Sequence, residues 1–289
     1  MAKQATSPAV AMTVAGSDCS GGAGIQADLK TFGAFGVHGL TAVTCAVSET
    51  AHVVERIEVL PPDFVAAQVR LLLRSFPVAA VKTGMLYSAA HIKAVMAELD
   101  GFRGGLVVDP VMVASTGDPL LEPAAVEAYR TQVLPVATVI TPNLDEAAVL
   151  LGRRIEGEAG LEPAARDLRD AFGCAVLLKG GHLAGERAID VLVTHTGEVF
   201  RFETPFVRGG ATHGTGCTYS AAVAAGLAMG HSLPNAVREA KRFITQAIAT
   251  GFAWRAAAGP ITALNQRGPG GPGCAPATGS TPPGGRSPC

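Results

Sequence analysis

Short runs of apolar, often β-branched residues alternate along this chain with longer segments whose apolar residues recur every three or four positions. The longer segments, such as 62–76 and 88–100, have the period of amphipathic helices. The short runs have the length and composition of buried strands. This alternation predicts βαβ units, and therefore an α/β fold with a central, mostly parallel sheet and helices on both faces. The predicted strands are 9–16, 40–47, 78–84, 105–112, 136–141, 174–181 and 188–194.

Length and composition predict one domain. The chain has 289 residues, of which 48% are apolar, and this is enough for one large α/β core. We place a single domain at 9–265, after a flexible N-terminus at 1–8. The last segment, 266–289, consists almost entirely of glycine, proline and small polar residues, which bury too little surface to offset their ordering entropy. This tail is predicted to be disordered.

Charge, hydropathy and cysteine usage argue against several classes of protein. The formal net charge is -1 and the charges are scattered, so no basic face for nucleic acid is expected. The apolar stretches are too short to span a membrane, and the N-terminus lacks the apolar core of a signal peptide. The six cysteines form no Cys-x-x-Cys pair, which disfavours a disulfide framework or a zinc site. We expect a soluble, cytoplasmic protein with no nucleic-acid or membrane partner.

Standard nucleotide and hydrolase motifs are absent from the sequence. It contains no G-x-x-x-x-G-K-[ST], no H-E-x-x-H and no G-x-S-x-G. The segment "GSDCSGGAGIQAD" (16–28) follows a predicted strand and opens a predicted helix, but its glycines do not fit G-x-G-x-x-G. A P-loop is therefore excluded, and a dinucleotide site is disfavoured.

The segment "THGTGCT" (212–218) has the features of an anion site at the start of a helix. Its two glycines allow a tight turn, and the amides of Gly214 to Cys217 lie at the positive end of the helix dipole. A thiol held there is expected to have a lowered pKa and to accept a proton from an attacking hydroxyl. On this motif alone, a small buried cysteine at an ordinary helix N-terminus remains an alternative.

Six segments of the chain together resemble one enzyme family. Their order and spacing are similar to those of hydroxymethylpyrimidine/phosphomethylpyrimidine kinases, the thiamine-pathway branch of the ribokinase-like superfamily. The resemblance implies a three-layer ribokinase-like fold, a homodimer, and two MgATP-dependent phosphorylations. The first acts on 4-amino-5-hydroxymethyl-2-methylpyrimidine and the second on its monophosphate, to give the pyrophosphate. The segments are "AGSDCSGGAGIQADLKTFGAFGVHG" (15–39), "KTGML" (82–86), "VVDPVMVASTGDPLL" (107–121), "ITPNLDEAAVLLG" (140–152), "LLKGGH" (177–182) and "THGTGCT" (212–218).

The resemblance assigns residues to the transfer of a phosphoryl group, which needs an anion cradle, a cation, a metal and a base. It implies that Cys217 stands where sugar kinases carry an aspartate base. Lys179 and Thr215 would contact ATP, although Lys179 also fits an ordinary lysine at a strand end. The implied cradle consists of Gly214, Thr215, Gly216 and Cys217.

Two carboxylates are implied to hold Mg²⁺ through water, which is the usual way that proteins bind this ion. Asp109 follows a predicted strand, and Glu146 lies in "NLDEA". Their structural alternatives are a cap for Asp109 and a solvated helical face for Glu146. Thr212 and His213 are expected to shape the loop.

The resemblance also implies a pocket for the substrate ring. Asp28 would accept a hydrogen bond from the hydroxymethyl group, with a solvated helix position as the alternative. Two methionines would form apolar walls, with a plain core role as the alternative. The implied substrate-binding residues are Gly16, Ala23, Asp28, Glu49, Met85 and Met112.

Glu49, in "SETA" (48–51), departs from the family pattern. The resemblance implies a ring-binding glutamine at this position. A glutamine both donates and accepts hydrogen bonds, whereas a carboxylate only accepts them. Two other functions therefore stay open: a pyridoxal or pyridoxine kinase of the same superfamily, and a non-catalytic pyrimidine- or nucleotide-binding module.

Overall fold

A nine-stranded sheet forms the centre of the computed structural model, which describes residues 7–112, 123–181, 185–256 and 259–268. The order across the sheet is β3-β2-β1-β4-β5-β6-β7-β8-β9, and a separate hairpin pairs β10 with β11. The strands are β1 (Val10–Asp18), β2 (His38–Thr50), β3 (Val53–Val59), β4 (Val78–Thr83), β5 (Gly105–Val108), β6 (Val139–Ile140), β7 (Ala175–Lys179), β8 (Arg187–Val193), β9 (Val199–Pro205), β10 (Phe252–Ala256) and β11 (Gly259–Ala263).

The strands from β2 across to β7 are parallel. At the edges, β3 and β8 pair antiparallel with this set, and β9 pairs antiparallel with β8. The chain passes from β1 to β2 on one side, and later places β4 on the other side of β1. Crossovers in opposite directions open a crevice at the carboxyl ends of such neighbouring strands. The predicted mostly parallel sheet is confirmed, and its switch point lies beside β1.

Helices cover both faces of the sheet and enclose two separate apolar cores. Alternate residues of β1 point to opposite faces, so that Met12 joins one core and Ala11 joins the other. The first core includes residues of α2 to α6, and the second includes residues of α1, α7 and α8. The predicted three-layer α/β fold is thus confirmed. The helices are α1 (Gly24–Ala34), α2 (Pro62–Ser75), α3 (Ala89–Glu98), α4 (Pro123–Ala128), α5 (Leu144–Leu151), α6 (Leu161–Phe172), α7 (Thr215–Ala228) and α8 (Leu233–Ala249).

Several helices begin and end at residues that satisfy their free backbone groups. Asn143 and Glu146 form a reciprocal capping box at the start of α5. The side chain of Ser88 accepts the backbone N–H of His91 at the start of α3. The helix α6 ends at Gly173, whose φ of 73° is in the left-handed region that favours glycine.

The observed strands differ from the predicted ones mainly at the edges of the sheet. β3 and β9 were not predicted, because exposed charged residues interrupt their apolar patterns. β5 ends at Val108 rather than at 112, because Pro110 cannot donate to a strand ladder. β6 has only two residues, since Leu134–Val136 forms a 3₁₀ turn before it.

The predicted tail begins too early in the sequence. Gln266 is 4% exposed, and its amide donates to Thr218 Oγ1 at 2.8 Å, so that the folded chain continues past 265. Residues 269–289 and 1–6 of the predicted flexible termini lie outside the described residues. No helix in the described part of the chain is long and apolar enough to cross a membrane.

Candidate active site

The loop 212–218 and the loop after β1 interlock above the carboxyl edge of the sheet. Gly214 precedes α7 with φ 78°, and a Cβ on it would lie 1.9 Å from the carbonyl oxygen of Gly22. A Cβ on Gly22 would in turn lie 2.5 Å from His213 Cδ2. Gly214 must be glycine, because a side chain there would collide with the backbone and separate the two loops.

The backbone at the start of α7 lies next to a lysine, as the predicted cradle requires. Thr215 and Gly216 are half-buried, and Thr215 Oγ1 donates to the carbonyl of Thr212 at 2.9 Å. A Cβ on Gly216 would lie 3.3 Å from Lys179 Nζ, so that the lysine ammonium faces the helix N-terminus. Backbone N–H groups, the helix dipole and a cation thus converge on one place, as an anion requires.

Cys217 lies between the N-termini of two helices. It is half-buried in the first turn of α7, and Gly214 just before this turn packs against Gly22 and Ala23, which lead into α1. Burial raises the pKa of Cys217 to about 11, although the charge on Lys82 opposes this rise. The predicted lowering of this pKa is therefore wrong, because the loss of hydration outweighs the favourable charges.

Asp109 and Lys179 form an ion pair beneath the cradle. Lys179 Nζ donates to Asp109 Oδ1 at 3.1 Å, and Ser220 on α7 donates to Asp109 Oδ2 at 3.2 Å. Burial alone would raise the pKa of Asp109, but Lys179 and Lys82 outweigh it and hold the pKa below its ordinary value. The carboxylate is thus ionised and fixed in orientation at the end of β5.

Glu146 lies at the start of α5 and is 4% exposed. Its Oε2 accepts the backbone N–H of Asn143 at 2.8 Å, which fixes the side chain. Burial raises the pKa of Glu146, and Asp109 raises it further against the opposing charge of Lys179. The alternative of a solvated helical face is therefore wrong for Glu146.

The two carboxylates fit a magnesium ion held largely by water. Asp109 and Glu146 would supply hard oxygen ligands at the sheet edge, and the charge of Asp109 raises the pKa of Glu146. Among the described residues, no group of three or more His, Cys, Asp and Glu side chains is arranged to enclose a metal. Two carboxylates that share their charge near an anion cradle suit Mg²⁺, which keeps several waters and also binds phosphates.

Asp28 does not occupy the predicted position in the pocket. It is 0% exposed, and Lys82 Nζ donates to its two oxygens at 2.9 and 2.8 Å. Thr13 Oγ1 adds a third hydrogen bond at 2.6 Å. The expected contact with a substrate hydroxyl therefore lacks an accessible oxygen, and the alternative of a solvated position is wrong as well.

The remaining predicted pocket residues surround the switch point. A Cβ on Gly16, at a bulge in β1, would lie 3.0 Å from Met85 Cε, so that the glycine leaves room beside this methionine. Ala23 precedes α1 and is half-buried. Met112 is 2% exposed and belongs to the first core, which favours its alternative core role.

Glu49 faces a charged cluster at the end of β2. Burial raises the pKa of Glu49, and the carboxylate of Asp18 raises it further against the influence of His213. A carboxyl with a raised pKa can retain its proton and donate a hydrogen bond, as the amide of a glutamine does. Glu49 can therefore both donate and accept a hydrogen bond at this edge of the sheet.

Two buried charged residues close to the predicted site were not singled out by the sequence reasoning. Asp18 accepts backbone N–H groups of its own loop and lies 3.0 Å from His213 Nε2, which links the two interlocked loops. Lys82 is fully buried at the end of β4, where it pairs with Asp28. The signals for them were an aspartate two residues before "SGG" and a lysine inside the apolar run 78–84. Residues 113–121 and His182 of the quoted segments lie outside the described residues.

Comparisons with known proteins agree with this geometry. A chain similar in sequence is the hydroxymethylpyrimidine/phosphomethylpyrimidine kinase of Streptomyces coelicolor, 48% identical over 88% of this chain and 94% of that protein. The Escherichia coli protein of the same name is 43% identical over 83% of this chain and 90% of its own length.

Solved structures of two kinds of vitamin kinase share the fold. A Bacillus subtilis pyridoxal kinase in complex with ADP has a TM-score of 0.81 and 37% identity, and covers 89% of this chain and 98% of its own. A phosphomethylpyrimidine kinase of Clostridium difficile has a TM-score of 0.73 and 36% identity, and covers 83% and 99%. The sequence model of the family described as "Phosphomethylpyrimidine kinase" matches residues 18–262. The fold, the cradle and these matches together show that the chain belongs to the phosphomethylpyrimidine kinase family.

Proposed function

We propose that the protein transfers the γ-phosphoryl group of ATP to 4-amino-5-hydroxymethyl-2-methylpyrimidine, and then phosphorylates the resulting monophosphate to the pyrophosphate. The observation that carries this proposal is Cys217, which lies between two helix N-termini beside the pair of Lys179 and Asp109. The names of the relatives support the choice of substrate, and the ADP complex of the pyridoxal kinase supports the choice of donor.

The cradle residues bind and orient the phosphate groups of ATP. The amides of α7 accept the transferring group, and Lys179 neutralises the charge that develops on it. Asp109 and Glu146 would hold Mg²⁺ through water, and this ion would neutralise phosphate charge and orient the oxygens that it contacts.

Cys217 acts as the base toward the hydroxymethyl group. As the hydroxyl oxygen forms its bond to phosphorus, its proton passes to Cys217 Sγ and the electron pair of the broken P–O bond leaves with ADP. In a loose transition state the hydroxyl becomes acidic late, so that a thiolate formed in only a fraction of the molecules can act.

Ring recognition depends on Glu49 and on the space beside Gly16 and Met85. A shared proton between Glu49 and a ring nitrogen, together with the adjacent amine, gives two parallel hydrogen bonds. Pyridoxal presents a phenolic oxygen in place of the amine, and a carboxylate facing it would meet another acceptor.

A direct assay tests the proposed function. The purified protein is incubated with MgATP and, in separate reactions, with the hydroxymethylpyrimidine, its monophosphate and pyridoxal, and the products are identified by mass. We expect phosphorylation of both pyrimidines and weaker use of pyridoxal. Binding of ATP and pyrimidine without any ADP formation would instead establish a non-catalytic module.

A homodimer in the cytoplasm completes the proposal. Val53 and Val54 on the edge strand β3 are 48% and 42% exposed, and a second copy could cover them. Light scattering after gel filtration tests the dimer, with Val54→Lys as the variant expected to weaken it. The cytoplasm is the compartment that supplies the ATP.

A further inference from the structure

A buried carboxylate, Asp190 on β8, joins three elements of the fold and has no part in the site described so far. Asp190 is 2% exposed. Its Oδ2 accepts the hydroxyl of Tyr219 on α7 at 3.0 Å and the ammonium of Lys241 on α8 at 2.6 Å. Its Oδ1 accepts the backbone N–H of Gly180, just after β7, at 3.1 Å. A buried ion pair is weak evidence for stability, because desolvation cancels much of the attraction. A role in the site is a better reason for this cluster.

Asp190 lies directly beside the lysine of the cradle. Lys179 and Asp190 face each other in the ladder of β7 and β8. The N–H of Gly180, the next residue, is shared between Asp190 and the carbonyl of Ile189, which is 3.0 Å away. A Cβ on Gly180 would lie 2.4 Å from that carbonyl, so that the backbone next to Lys179 packs tightly on β8. The position of Lys179 is therefore tied to the strand that carries Asp190.

The two neighbouring side chains contact the same helix one turn apart. A Cβ on Gly216 would lie 3.3 Å from Lys179 Nζ, and Tyr219 donates to Asp190. Residues three positions apart are neighbours on a helix surface. The start of α7 thus meets Lys179, and its next turn is hydrogen-bonded to the residue opposite Lys179 in the sheet.

A second carboxylate holds the following residue of α7. Ser220 donates to Asp109 Oδ2 at 3.2 Å, and Lys179 donates to Asp109 Oδ1 at 3.1 Å. Asp109 and Asp190 therefore anchor consecutive residues of α7 on the two sides of Lys179. Because two anchors fix both the height and the rotation of a helix, the cradle amides and the lysine ammonium are held in one arrangement.

We infer that Asp190 is a positioning residue for the nucleotide phosphates: through Tyr219 it fixes the start of α7 against the strand that carries Lys179, so that the cradle amides and the ammonium face the same phosphate. Binding of ATP at the cradle rests on the proposed function. The hydrogen bonds of Asp190 belong to the free protein, and their effect on nucleotide affinity is measurable without turnover.

Two multiple variants separate positioning from stability. The apolar variant combines Asp190→Leu, Tyr219→Phe and Lys241→Met, which leaves no charge or hydroxyl of the cluster unpaired. The acceptor variant combines Asp190→Asn and Lys241→Met. Its amide keeps an oxygen for the N–H of Gly180 and can donate to the hydroxyl of Tyr219.

The test measures the dissociation constants of MgATP and of the hydroxymethylpyrimidine by calorimetry, and the free energy of unfolding by urea titration. In the apolar variant the dissociation constant of MgATP should rise by about tenfold, as expected for groups coupled in one hydrogen-bond network. Its free energy of unfolding should not fall, since apolar replacement of a buried ion pair is often neutral or stabilising. The acceptor variant should bind MgATP nearly as well as the natural protein, and the pyrimidine should bind equally to all three proteins.

Thr245→Val is the matched control on α8. Thr245 Oγ1 donates to Thr204 Oγ1 on β9 at 3.1 Å and makes no hydrogen bond with Asp190. Its loss removes a contact between α8 and the sheet without touching the cluster. The dissociation constant of MgATP should stay unchanged.

A double-mutant cycle with Lys179→Met tests whether Asp190 acts through the lysine. In this background the three apolar substitutions should cause no further loss of MgATP affinity, because the ammonium that the cluster aligns is gone. A purely structural effect would add in full. If the apolar variant does not fold, Tyr219→Phe alone replaces it, and its smaller loss of affinity should likewise vanish in Lys179→Met.

Several results would overturn the inference. They are natural MgATP affinity in the folded apolar variant, equal losses in the apolar and acceptor variants, and an additive loss in the Lys179→Met background. The expected pattern in a protein that binds MgATP but phosphorylates neither pyrimidine would count against the proposed function and support the inference. Absence of MgATP binding by the natural protein would overturn both.

Discussion

At the scale of single residues, Cys217 is the position whose replacement separates base catalysis from binding. Cys217→Ala removes the thiol and keeps the backbone amides of the cradle. We expect kcat to fall by about 10²-fold or more, since general bases typically contribute on the order of 10² to 10⁴. The dissociation constant for ATP should change little, as calorimetry can show.

Cys174→Ala is the control for the loss of a thiol, because Cys174 is buried in the first core, away from the loop. Its kcat should stay near that of the natural protein. Near-normal turnover of Cys217→Ala would mean that the amides carry the function and that Cys217 serves packing.

The raised pKa of Glu49 predicts that kcat/KM depends on pH. Its pKa is raised by burial and by Asp18, which favours a proton shared with the proposed substrate ring. We expect kcat/KM for the aminopyrimidine to fall as pH rises through the point at which this proton is lost. Glu49→Gln should remove that limb of the profile without abolishing the reaction, because an amide does not titrate.

Glu55→Gln, on the neighbouring strand β3, controls for the loss of one negative charge on this hairpin. Its pH profile should match that of the natural protein. An unchanged profile in Glu49→Gln, or use of pyridoxal as good as that of the pyrimidine, would show that Glu49 does not recognise the ring in this way.

At the scale of loops and helices, the close approach of Gly214 to Gly22 predicts a strong effect of one methyl group. Gly214→Ala places a Cβ 1.9 Å from a carbonyl oxygen at a positive φ, so that the two loops must separate. We expect the free energy of unfolding to fall by about 2 kcal/mol or more and ATP affinity to fall with it. Urea titration and calorimetry measure the two effects.

Gly209→Ala is a control that introduces the backbone strain of a positive φ without a steric clash. Gly209 has a φ of 69°, but a Cβ added to it would meet no atom within 4 Å, so the cost should be about 1 kcal/mol with ATP affinity retained. Similar losses of affinity in both variants would show that the interlock does not form the cradle.

His213 and Asp18 connect the same two loops by a hydrogen bond that becomes an ion pair when His213 is protonated. The hydrogen bond that His213 donates to Asp18 outweighs burial and raises the pKa of His213 above 6.5, whereas the pKa of Asp18 is lowered below 3.8. The pair therefore stabilises the fold most between these two values, and the stabilisation is lost as pH rises through the raised pKa of His213. His213→Gln should thus lower the free energy of unfolding more at about pH 5.5 than at pH 8.5. A loss that is equal at both pH values would contradict this role.

The sequence predicted some elements better than others, for physical reasons. α2 matched its predicted range closely because its apolar residues face one side. α7 has no such period, since Ala221 to Ala225 are buried on every side between the sheet and two helices. Its start was predicted instead from the glycines before it. β3 escaped prediction because an edge strand needs only one apolar side.

The same contrast holds within the candidate site. Residues at strand ends and in glycine loops, such as Asp109 and Gly214, could be predicted because local pattern places them. The buried partners of Asp28 and the contact between Asp18 and His213 could not, because residues 54 and 195 positions apart meet only in the folded chain.

At the scale of the whole molecule, the contact of Gln266 predicts how much of the C-terminal segment is needed for stability and turnover. Its amide donates to Thr218 Oγ1 beside Cys217. A protein that ends at 268 should keep the stability and turnover of the full chain. Addition of Gln266→Ala should lower the free energy of unfolding by about 1–2 kcal/mol, because it leaves a buried hydroxyl without its donor. Urea unfolding measures both. A loss already present in the protein that ends at 268 would place part of the domain beyond that residue.

The contact of Gln266 has a consequence for synthesis on the ribosome. β1 emerges early and lies in the middle of the sheet, so that later strands can add on either side of it while translation continues. Gln266 emerges among the last of the described residues, and it reaches back to Thr218 and the backbone of Gly22. A nascent chain can therefore complete its sheet before Gln266 is available to join the start of α7 to the loop that contains Gly22.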